Sequence, residues 1–319
     1  MVSMQDIANK LNLSRTTISN ILNEKKAAGS YKEETVIKVK ATAKKMGYIP
    51  NNLARALPRG KTMTLAILVP ELTNTYYTDI IKEIEAQCSK AGYQLFIFTS
   101  EENIEKENKI IDFLRRQRVD GLLISPVSYK KSLHFDHFPF EVVCFDRYVE
   151  NQTFTKISLD NSQIAYQLAK TNLSQELSYN LFLGSSPDDI TVQTRLNGYQ
   201  KALQEKNQKI DKIHYEVFNS QDSFSKTIYW LENIINREEN MYRIFLTSNF
   251  VSLGVMKALQ KLNIEKFQII GFERSEWQSL LDVNISFVDQ PVYEISKQAF
   301  EVLISKINGN DVVSKIIEI

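Results

Sequence analysis

Short apolar runs alternate with amphipathic segments of helical length from Thr62 to the end of the chain. The apolar runs are TLAILVP, YQLFIFTS, LLISP, EVVCFD, TKISLD, YNLFLGS, IHYEVF, YRIFLTS and FQIIGF. In the first segment between them, Ile80, Ile84 and Cys88 fall on one face of a helix. The alternation predicts an α/β fold, with parallel sheets covered by helices on both faces. Because about ten strands are too many for one sheet of this size, we expect two α/β lobes with a cleft between them.

The segment from Ser3 to Asn23, SMQDIANKLNLSRTTISNILN, has a different pattern. Its apolar residues before Asn12 repeat at helical spacing, and Ser14 can cap a second helix with Ile18 turned inward. The outer face of that second helix is polar and basic. Two short helices joined by a tight turn predict a helix-turn-helix, whose second helix fits the major groove of DNA. A helical hairpin without a role in DNA binding is the alternative.

Charge is unevenly distributed along the chain, although the net charge is only +1. Residues 1–61 contain 12 Lys and Arg but 4 Asp and Glu, a difference of +8. This leaves 27 of the 39 basic and 34 of the 38 acidic residues in 62–319, a difference of −7. A basic head on an acidic body favours a polyanion-binding module joined to a domain with another task.

Two further helices are expected before residue 62. Ser30 and Glu33 have the spacing of a capping box and predict a third helix that ends at Gly47. Pro50 ends any helical continuation, and the segment NNLARAL that follows predicts a very short helix stopped by Pro58. A helix of this length is unstable alone in water, so something outside the segment must order it.

These features together resemble the lactose-repressor (LacI/GalR) family of bacterial transcription regulators, over essentially the whole chain. The motifs that carry the resemblance are MQDIANKLNLSRTTISNILN and GYIPNNLARAL, in the family's order and spacing. The resemblance implies a three-helix, helix-turn-helix head at 1–49, a hinge helix or linker at 50–61, and a two-lobed type I periplasmic-binding-protein-like core at 62–319. In that family the hinge helix orders on operator DNA. A leucine of the hinge enters the minor groove there, and Leu57 matches it, with Ala54 and Arg55 beside it.

The same resemblance implies three chain crossings between the lobes. We expect them near Asp160, near Asp289 and close to the C-terminus. Lobe 1 would then comprise about 62–159 and 290–308, and lobe 2 about 160–289 and 309–319.

Side chains on the head are assigned to bases or phosphates by their chemistry. Arginine can read guanine and asparagine can read adenine in the major groove. We expect base contacts from Arg15, Thr16 and Asn20. The phosphate contacts are expected from Ser3, Ser14, Thr17, Ser19 and Asn23.

A ligand site is expected where the strands end, because ligands of α/β sheets gather at the carboxyl ends of strands. The polar and aromatic groups found there suit a sugar. NTYY resembles the family motif N-P-F-F, and RLNGY resembles R-x-x-G. SNFVSLG resembles N-D-x-x-A-x-G but lacks both the Asn and the Asp. The expected effector residues are Asn74, Tyr76, Tyr77, Asp146, Arg195, Phe224, Ser248, Asn249, Glu273 and Gln290. Two alternatives concern their neighbours: Asp160 and Asn161 can simply cap a helix, and Arg147 can be a surface or dimer residue.

Signals for catalysis are weak. No G-x-G-x-x-G, Walker or G-x-S-x-G motif is present, and HFDHF at 134–138 is better explained as a polar loop than as a metal site. We therefore expect no enzyme activity, no metal and no cofactor. The N-terminus lacks an apolar signal segment and no run of about 18 apolar residues exists, which predicts a cytoplasmic protein without a membrane span. Cys88 and Cys144 are expected to be core residues in a reducing compartment.

The sequence thus predicts a homodimeric transcription regulator, with repression the expected mode. Its partners would be a palindromic double-stranded operator and a small-molecule effector, a sugar or sugar derivative, that changes the lobe angle. Two alternatives are a cytoplasmic sugar-binding protein with an unrelated head and an α/β enzyme with a helical appendage. The +8 head opposes the first, and the missing catalytic motifs oppose the second.

Overall fold

A computed structural model describes most of the chain. The described residues are 2–23, 31–48, 61–127, 138–149, 154–173, 178–215, 222–234, 241–272, 285–313 and 315–317. They form two compact units, Met1–Met63 and Thr64–Ile319, which we call the head and the core. Among the described residues no helix is long and apolar enough to cross a membrane. The expected hinge residues Ala54, Arg55 and Leu57, and the expected effector residue Glu273, lie outside the described residues.

The described residues of the head form three helices around a small apolar core. Its helices are α1 (Met4–Leu11), α2 (Arg15–Leu22) and α3 (Glu33–Lys45). The buried side chains that hold them together are Ile7, Ala8, Ile18, Ile21, Val39 and Ala43. Asn12 ends α1 in the left-handed region, at φ 56°, where asparagine is among the better tolerated residues. The reversal there produces the tight turn that the sequence predicts.

Capping differs between the predicted and the observed helices of the head. The capping box expected at Ser30 is wrong, because α3 begins at Glu33 with Lys32 as its N-cap residue and no side-chain cap bond. A capping box instead starts α1, where Ser3 and Asp6 exchange hydrogen bonds. Ser14 caps α2 as expected, by accepting from the backbone N–H of Thr17 at 3.0 Å.

Lobe 1 of the core is a six-stranded parallel sheet in the order β11-β5-β4-β3-β1-β2. Its strands are β1 (Thr64–Val69), β2 (Gln94–Thr99), β3 (Gly121–Ile124), β4 (Glu141–Phe145), β5 (Thr155–Leu159) and β11 (Lys315–Ile317). Helices α4 (Thr75–Ala91), α5 (Ile104–Gln117) and α10 (Val292–Ile307) pack on it. Strands β1, β3 and β4 are almost wholly apolar because the sheet is covered on both faces.

Lobe 2 is a five-stranded parallel sheet in the order β10-β9-β8-β6-β7. Its strands are β6 (Ser178–Gly184), β7 (Lys212–Tyr215), β8 (Met241–Leu246), β9 (Phe267–Phe272) and β10 (Ile285–Val288). Helices α6 (Asn161–Asn172) and α7 (Ile190–Gln204) cover one face. Helices α8 (Asp222–Ile234) and α9 (Asn249–Lys261) cover the other.

The two sheets give the α/β architecture of parallel sheets that the alternation predicts. The chain passes from lobe 1 to lobe 2 between β5 and α6, and returns between β10 and α10. The third crossing, which would place residues 309–319 in lobe 2, is wrong for 315–317. Strand β11 pairs with β5, with Ile316 opposite Ser158, so it extends the sheet of lobe 1.

The two cysteines are core residues, as predicted. Cys88 lies on the buried face of α4 and Cys144 in β4, and both are free thiols. Burial raises the pKa of each thiol to about 12, so neither is a nucleophile at neutral pH.

Candidate functional site

The start of α2 presents the head's expected base-reading residues. Arg15 and Thr16 are exposed in its first turn. Asn20, one turn later, is half-buried, and its side-chain amide donates to the Tyr31 hydroxyl at 3.2 Å. This bond ties the outer face of α2 to the residue that leads into α3, so it orients Asn20 before any ligand is bound.

The expected phosphate-contacting residues also hold the head's own helices. Ser3 and Ser14 are N-cap residues, and the Ser14 hydroxyl lies 2.8 Å from the Thr17 hydroxyl. Asn23 donates to the Ser19 hydroxyl at 3.1 Å. Any phosphate contact from these side chains therefore shares atoms with the caps that fix α1 and α2.

A second group of polar residues lies in the core, where the carboxyl ends of both sheets meet; we call it the inter-lobe site. Tyr77, on α4, donates from its hydroxyl to the Asp146 carboxylate at 2.8 Å. Ser125, directly after β3, lies 3.4 Å from the same oxygen of Asp146 and 3.3 Å from the Tyr77 hydroxyl. Three strand or helix ends thus converge on one carboxyl group.

Asp146 is in an unusual environment for a carboxyl group. It follows β4 with φ 60°, in the left-handed region that few residues other than glycine adopt. Its removal from water raises its pKa, although Arg147, Arg195 and the Tyr77 hydrogen bond oppose that effect. A strained, desolvated carboxyl group at strand ends is typical of a functional position.

Arg147 joins the two lobes. Its guanidinium donates to both carboxylate oxygens of Glu102, at 2.9 and 3.0 Å, within lobe 1. The other terminal nitrogen pairs at 3.1 Å with Asp189, which caps α7 in lobe 2. The alternative that Arg147 is a surface or dimer residue is wrong, because the residue is 8% exposed and faces Glu102 and Asp189.

Arg195, from the RLNGY segment of α7, is buried on the lobe 2 side of the same site. Its Nε donates to the Asn161 side-chain oxygen at 2.8 Å, and Nη1 donates to the backbone carbonyl of Thr247. Its guanidinium lies 3.8 Å from the centre of the Phe272 ring, a cation–π contact. Nη2 reaches Gln290, on the segment that returns to lobe 1, at 3.5 Å.

Other expected effector residues have local roles. Asn74 caps α4 by accepting from the backbone N–H of Tyr76 at 3.0 Å. The rings of Tyr76 and Tyr77 are both buried and pack edge to face, 5.2 Å apart. Ser248 is the N-cap residue of α9 without a side-chain cap bond. Asn249 begins α9 and Phe224 lies in α8, but their side chains are outside what the structure describes.

Asp160 and Asn161, at the start of α6 next to the site, were expected to cap that helix. Asp160 caps α6 by accepting from the backbone N–H of Gln163 at 2.9 Å, which agrees with the expectation that this residue caps a helix. Asn161, the first residue of that helix, has a role beyond capping, because its side-chain oxygen accepts a hydrogen bond from Arg195.

Comparison with known proteins finds a matching family for the head and another for the core. Residues 3–51 match the bacterial regulatory proteins of the lacI family, and residues 65–311 match a periplasmic binding protein domain. The HTH-type transcriptional repressor PurR of Vibrio atlanticus is 26% identical over 324 residues, covering 100% of this chain and 96% of that protein.

The chain belongs to the lacI family of bacterial regulatory proteins. A LacI-family regulator from Silicibacter pomeroyi has a similar fold, with a TM-score of 0.80 at 18% identity, over 100% of this chain and 96% of that one. The Cra dual regulator of Pseudomonas putida, in complex with fructose 1-phosphate, has a TM-score of 0.73 at 21% identity, over 81% and 96%. This LacI-family chain is accordingly a DNA-binding transcriptional regulator.

Sequence reasoning missed several residues of the inter-lobe site in this LacI-family protein. Glu71 and Glu102 follow the carboxyl ends of β1 and β2, and Ser125 follows β3, so the strand-end rule could have found all three. Asp189 could have been found as a cap before RLNGY, because its oxygen accepts from the Thr191 N–H at 2.8 Å. The pairing of Asp189 with Arg147 could not have been found from the sequence, since the two residues belong to different lobes.

Proposed function

We propose that this LacI-family regulator is a homodimeric, cytoplasmic repressor whose operator affinity is set by a small molecule at the inter-lobe site. The operator would be a palindrome, since a two-fold dimer presents two identical heads. The proposed domains are the head at 1–49, the hinge at 50–61 and the effector and dimerisation core beyond. The single observation that carries the proposal is the Arg147–Asp189 ion pair, because it makes the site sensitive to how the lobes sit.

The proposed DNA contacts follow from exposure and chemistry in the head. Arg15 and Thr16 are exposed at the start of α2, where side chains of a recognition helix reach base edges. Asn20 is proposed to read a third base, while Ser3, Ser14, Thr17, Ser19 and Asn23 hold phosphates. The proposed hinge contacts are Ala54, Arg55 and Leu57.

The proposed effector is a sugar or sugar derivative. Asp146 and Arg195 offer an acceptor and a donor of hydrogen bonds, and Tyr76 and Tyr77 supply apolar ring surface beside them. That combination suits the hydroxyl groups and the C–H faces of a sugar ring. Asn74, Phe224, Ser248, Asn249, Glu273 and Gln290 complete the proposed set.

The proposed dimer uses the edge of lobe 1. Strand β2 is the last strand of its sheet, and Phe96 and Ile97 on it are 38% and 45% exposed. Ile104 and Phe113 of the neighbouring helix α5 are 50% and 37% exposed. Large apolar side chains grouped at an open sheet edge favour pairing with a second subunit.

The experiment that tests the proposal is operator selection from a pool of random palindromes, followed by gel shift. We expect the wild-type chain to enrich one palindrome, and Arg15→Ala to lose that preference. Addition of sugars should then change the affinity of the wild-type chain for the palindrome. A chain that binds sugar but enriches no DNA sequence would be a sugar-binding protein with an unrelated head.

An enzyme with a helical appendage predicts a different result. Such a protein would consume the sugar that it binds, so chromatography of the sugar after incubation distinguishes turnover from binding. We expect the sugar to be recovered unchanged, with no cofactor needed for the change in operator affinity.

A further inference from the structure

The charged groups of the inter-lobe site are already paired with one another. Arg147 makes its hydrogen bonds to Glu102 and its ion pair to Asp189 with side chains that are themselves largely buried. The Asp189 carboxylate is 1% exposed, and its second oxygen accepts from both the backbone and the hydroxyl of Thr191. A ligand anion would have to displace two carboxylates before it could pair with Arg147.

Arg195 is committed in the same way. Two of its nitrogens donate to Asn161 and to the Thr247 carbonyl, and its face lies on the Phe272 ring. The remaining nitrogen lies 3.5 Å from Gln290. These bonds use three of the five guanidinium N–H groups, so at most two remain for a ligand.

The charges of the inter-lobe site also disfavour an anionic ligand. Four carboxyl groups and two guanidinium groups lie within electrostatic reach of one another among the described residues: Glu71, Glu102, Asp146, Asp189, Arg147 and Arg195. If all were ionised, the net charge would be −2. Burial raises the pKa of Glu71 and of Asp146, but protonation of both would bring the net charge only to zero. In neither case do the described residues of the site hold surplus positive charge.

We propose that the effector of this regulator is an uncharged or cationic polyhydroxy compound, and that the inter-lobe site rejects phosphorylated and carboxylated ones. This inference rests on the proposed function, because it takes the inter-lobe site as the effector site. Hydroxyl and ammonium groups are donors, and Asp146 and Glu71 are acceptors that can receive them. A phosphate brings mostly acceptors and a negative charge to a site whose described residues already include more carboxyl than guanidinium groups.

The first test uses the wild-type protein and calorimetric titration with inorganic phosphate, D-fructose 1-phosphate and D-fructose. We expect no saturable binding of either phosphate compound at millimolar concentration. Micromolar binding of inorganic phosphate would overturn the proposal. So would tighter binding of fructose 1-phosphate than of fructose.

The second test creates the anion site that the wild-type protein lacks. In the double variant Glu102→Gln/Asp189→Asn, the side chains keep their size and asparagine still caps α7, but Arg147 loses both carboxylates. We expect the double variant to gain saturable binding of inorganic phosphate at millimolar concentration, where wild type shows none. The matched control adds Arg147→Gln, which should return phosphate binding to the wild-type value.

Two outcomes of the second test contradict the proposal. One is a double variant that binds phosphate no better than wild type, since the carboxylates would then not be what excludes anions. The other is a gain that survives Arg147→Gln. Operator binding is measured separately on the same preparations, so a chain that binds no palindrome would overturn the proposed function while the titrations still decide the charge of the ligand.

Discussion

Gly198 is the residue of the RLNGY segment whose substitution tests the packing behind the inter-lobe site. An added Cβ atom there would lie 2.1 Å from the backbone oxygen of Ser162, 2.9 Å from the backbone nitrogen of Tyr166 and 3.0 Å from the Cβ of Ala165. All three atoms belong to α6, which packs directly against α7. Glycine therefore permits the close approach that lets Arg195 of α7 reach the first residue of α6.

The magnitude of Gly198→Ala follows from two opposed effects. Alanine in a helix is favoured over glycine by about 1 kcal/mol. Overpacking a close contact destabilises a protein by about 1–3 kcal/mol, and the upper end applies here because a backbone oxygen cannot rotate away. The net expectation is a loss of about 2 kcal/mol in the free energy of unfolding of the core. For a domain of this size, that loss lowers the melting temperature by about 4–8 °C.

Tryptophan fluorescence during urea and thermal unfolding is the suitable assay. Both tryptophans, Trp230 and Trp277, follow residue 63 in the sequence, so neither belongs to the head. Asn197→Ala is the matched control, because Asn197 is exposed on the same helix and gains helix propensity without a clash. We expect the control to be slightly more stable than wild type. A Gly198→Ala variant as stable as that control would refute the close-packing argument.

Four further predictions concern the head, the hinge and the site. Arg15→Ala should lose discrimination at one base pair per half-site, by about 1–3 kcal/mol in binding to operator variants; equal weakening on every sequence would mean a phosphate contact alone. Leu57→Ala should weaken operator binding by a few kcal/mol and reduce DNA bending in gel-mobility assays, while the melting temperature of the head stays constant. Arg195→Ala should abolish the sugar response in gel shift and lower core stability by about 1–3 kcal/mol in urea, because buried acceptors lose their donor; intact sugar binding by calorimetry would contradict it. Burial raises the pKa of Asp146 in the folded state. The neutral Asp146 side chain therefore contributes to the free energy of unfolding below about pH 4, and this contribution is lost as pH rises through the raised pKa. Asp146→Asn should therefore gain stability relative to wild type as pH rises from about 4, and a difference that stays flat with pH would exclude this.

Local patterns explain why the head and the two sheets could be predicted from the sequence. Apolar spacing, N-caps such as Ser14 and Asp160, and alternating strands act over a few residues, so each can be seen without knowing the fold. Lys315–Ile317 shows the limit. A strand of three residues has too little pattern to indicate its partner, and only its pairing with β5 decides which sheet it joins.

The residues of the inter-lobe site were only partly predictable for a different reason. Asp146 and Arg195 could be found because each lies at a strand end or in a recognisable segment. Glu102 and Asp189 acquire their role from Arg147, which lies 45 residues from the first and on the other lobe from the second. Contacts between lobes depend on how two separately folded sheets meet, and no spacing along the chain encodes that arrangement.

The Arg147 contacts also indicate how an effector could shift the lobes at a modest free-energy cost. If the lobes separate, Arg147 keeps Glu102 in lobe 1, and Asp189 keeps its hydrogen bonds from Thr191 in lobe 2. Neither charge is then left buried without a partner, which is the outcome that makes breaking a buried ion pair costly. An ion pair whose members each retain a second partner can therefore open and close at modest free-energy difference. The differential affinity of an effector for the two lobe arrangements can then decide which one predominates.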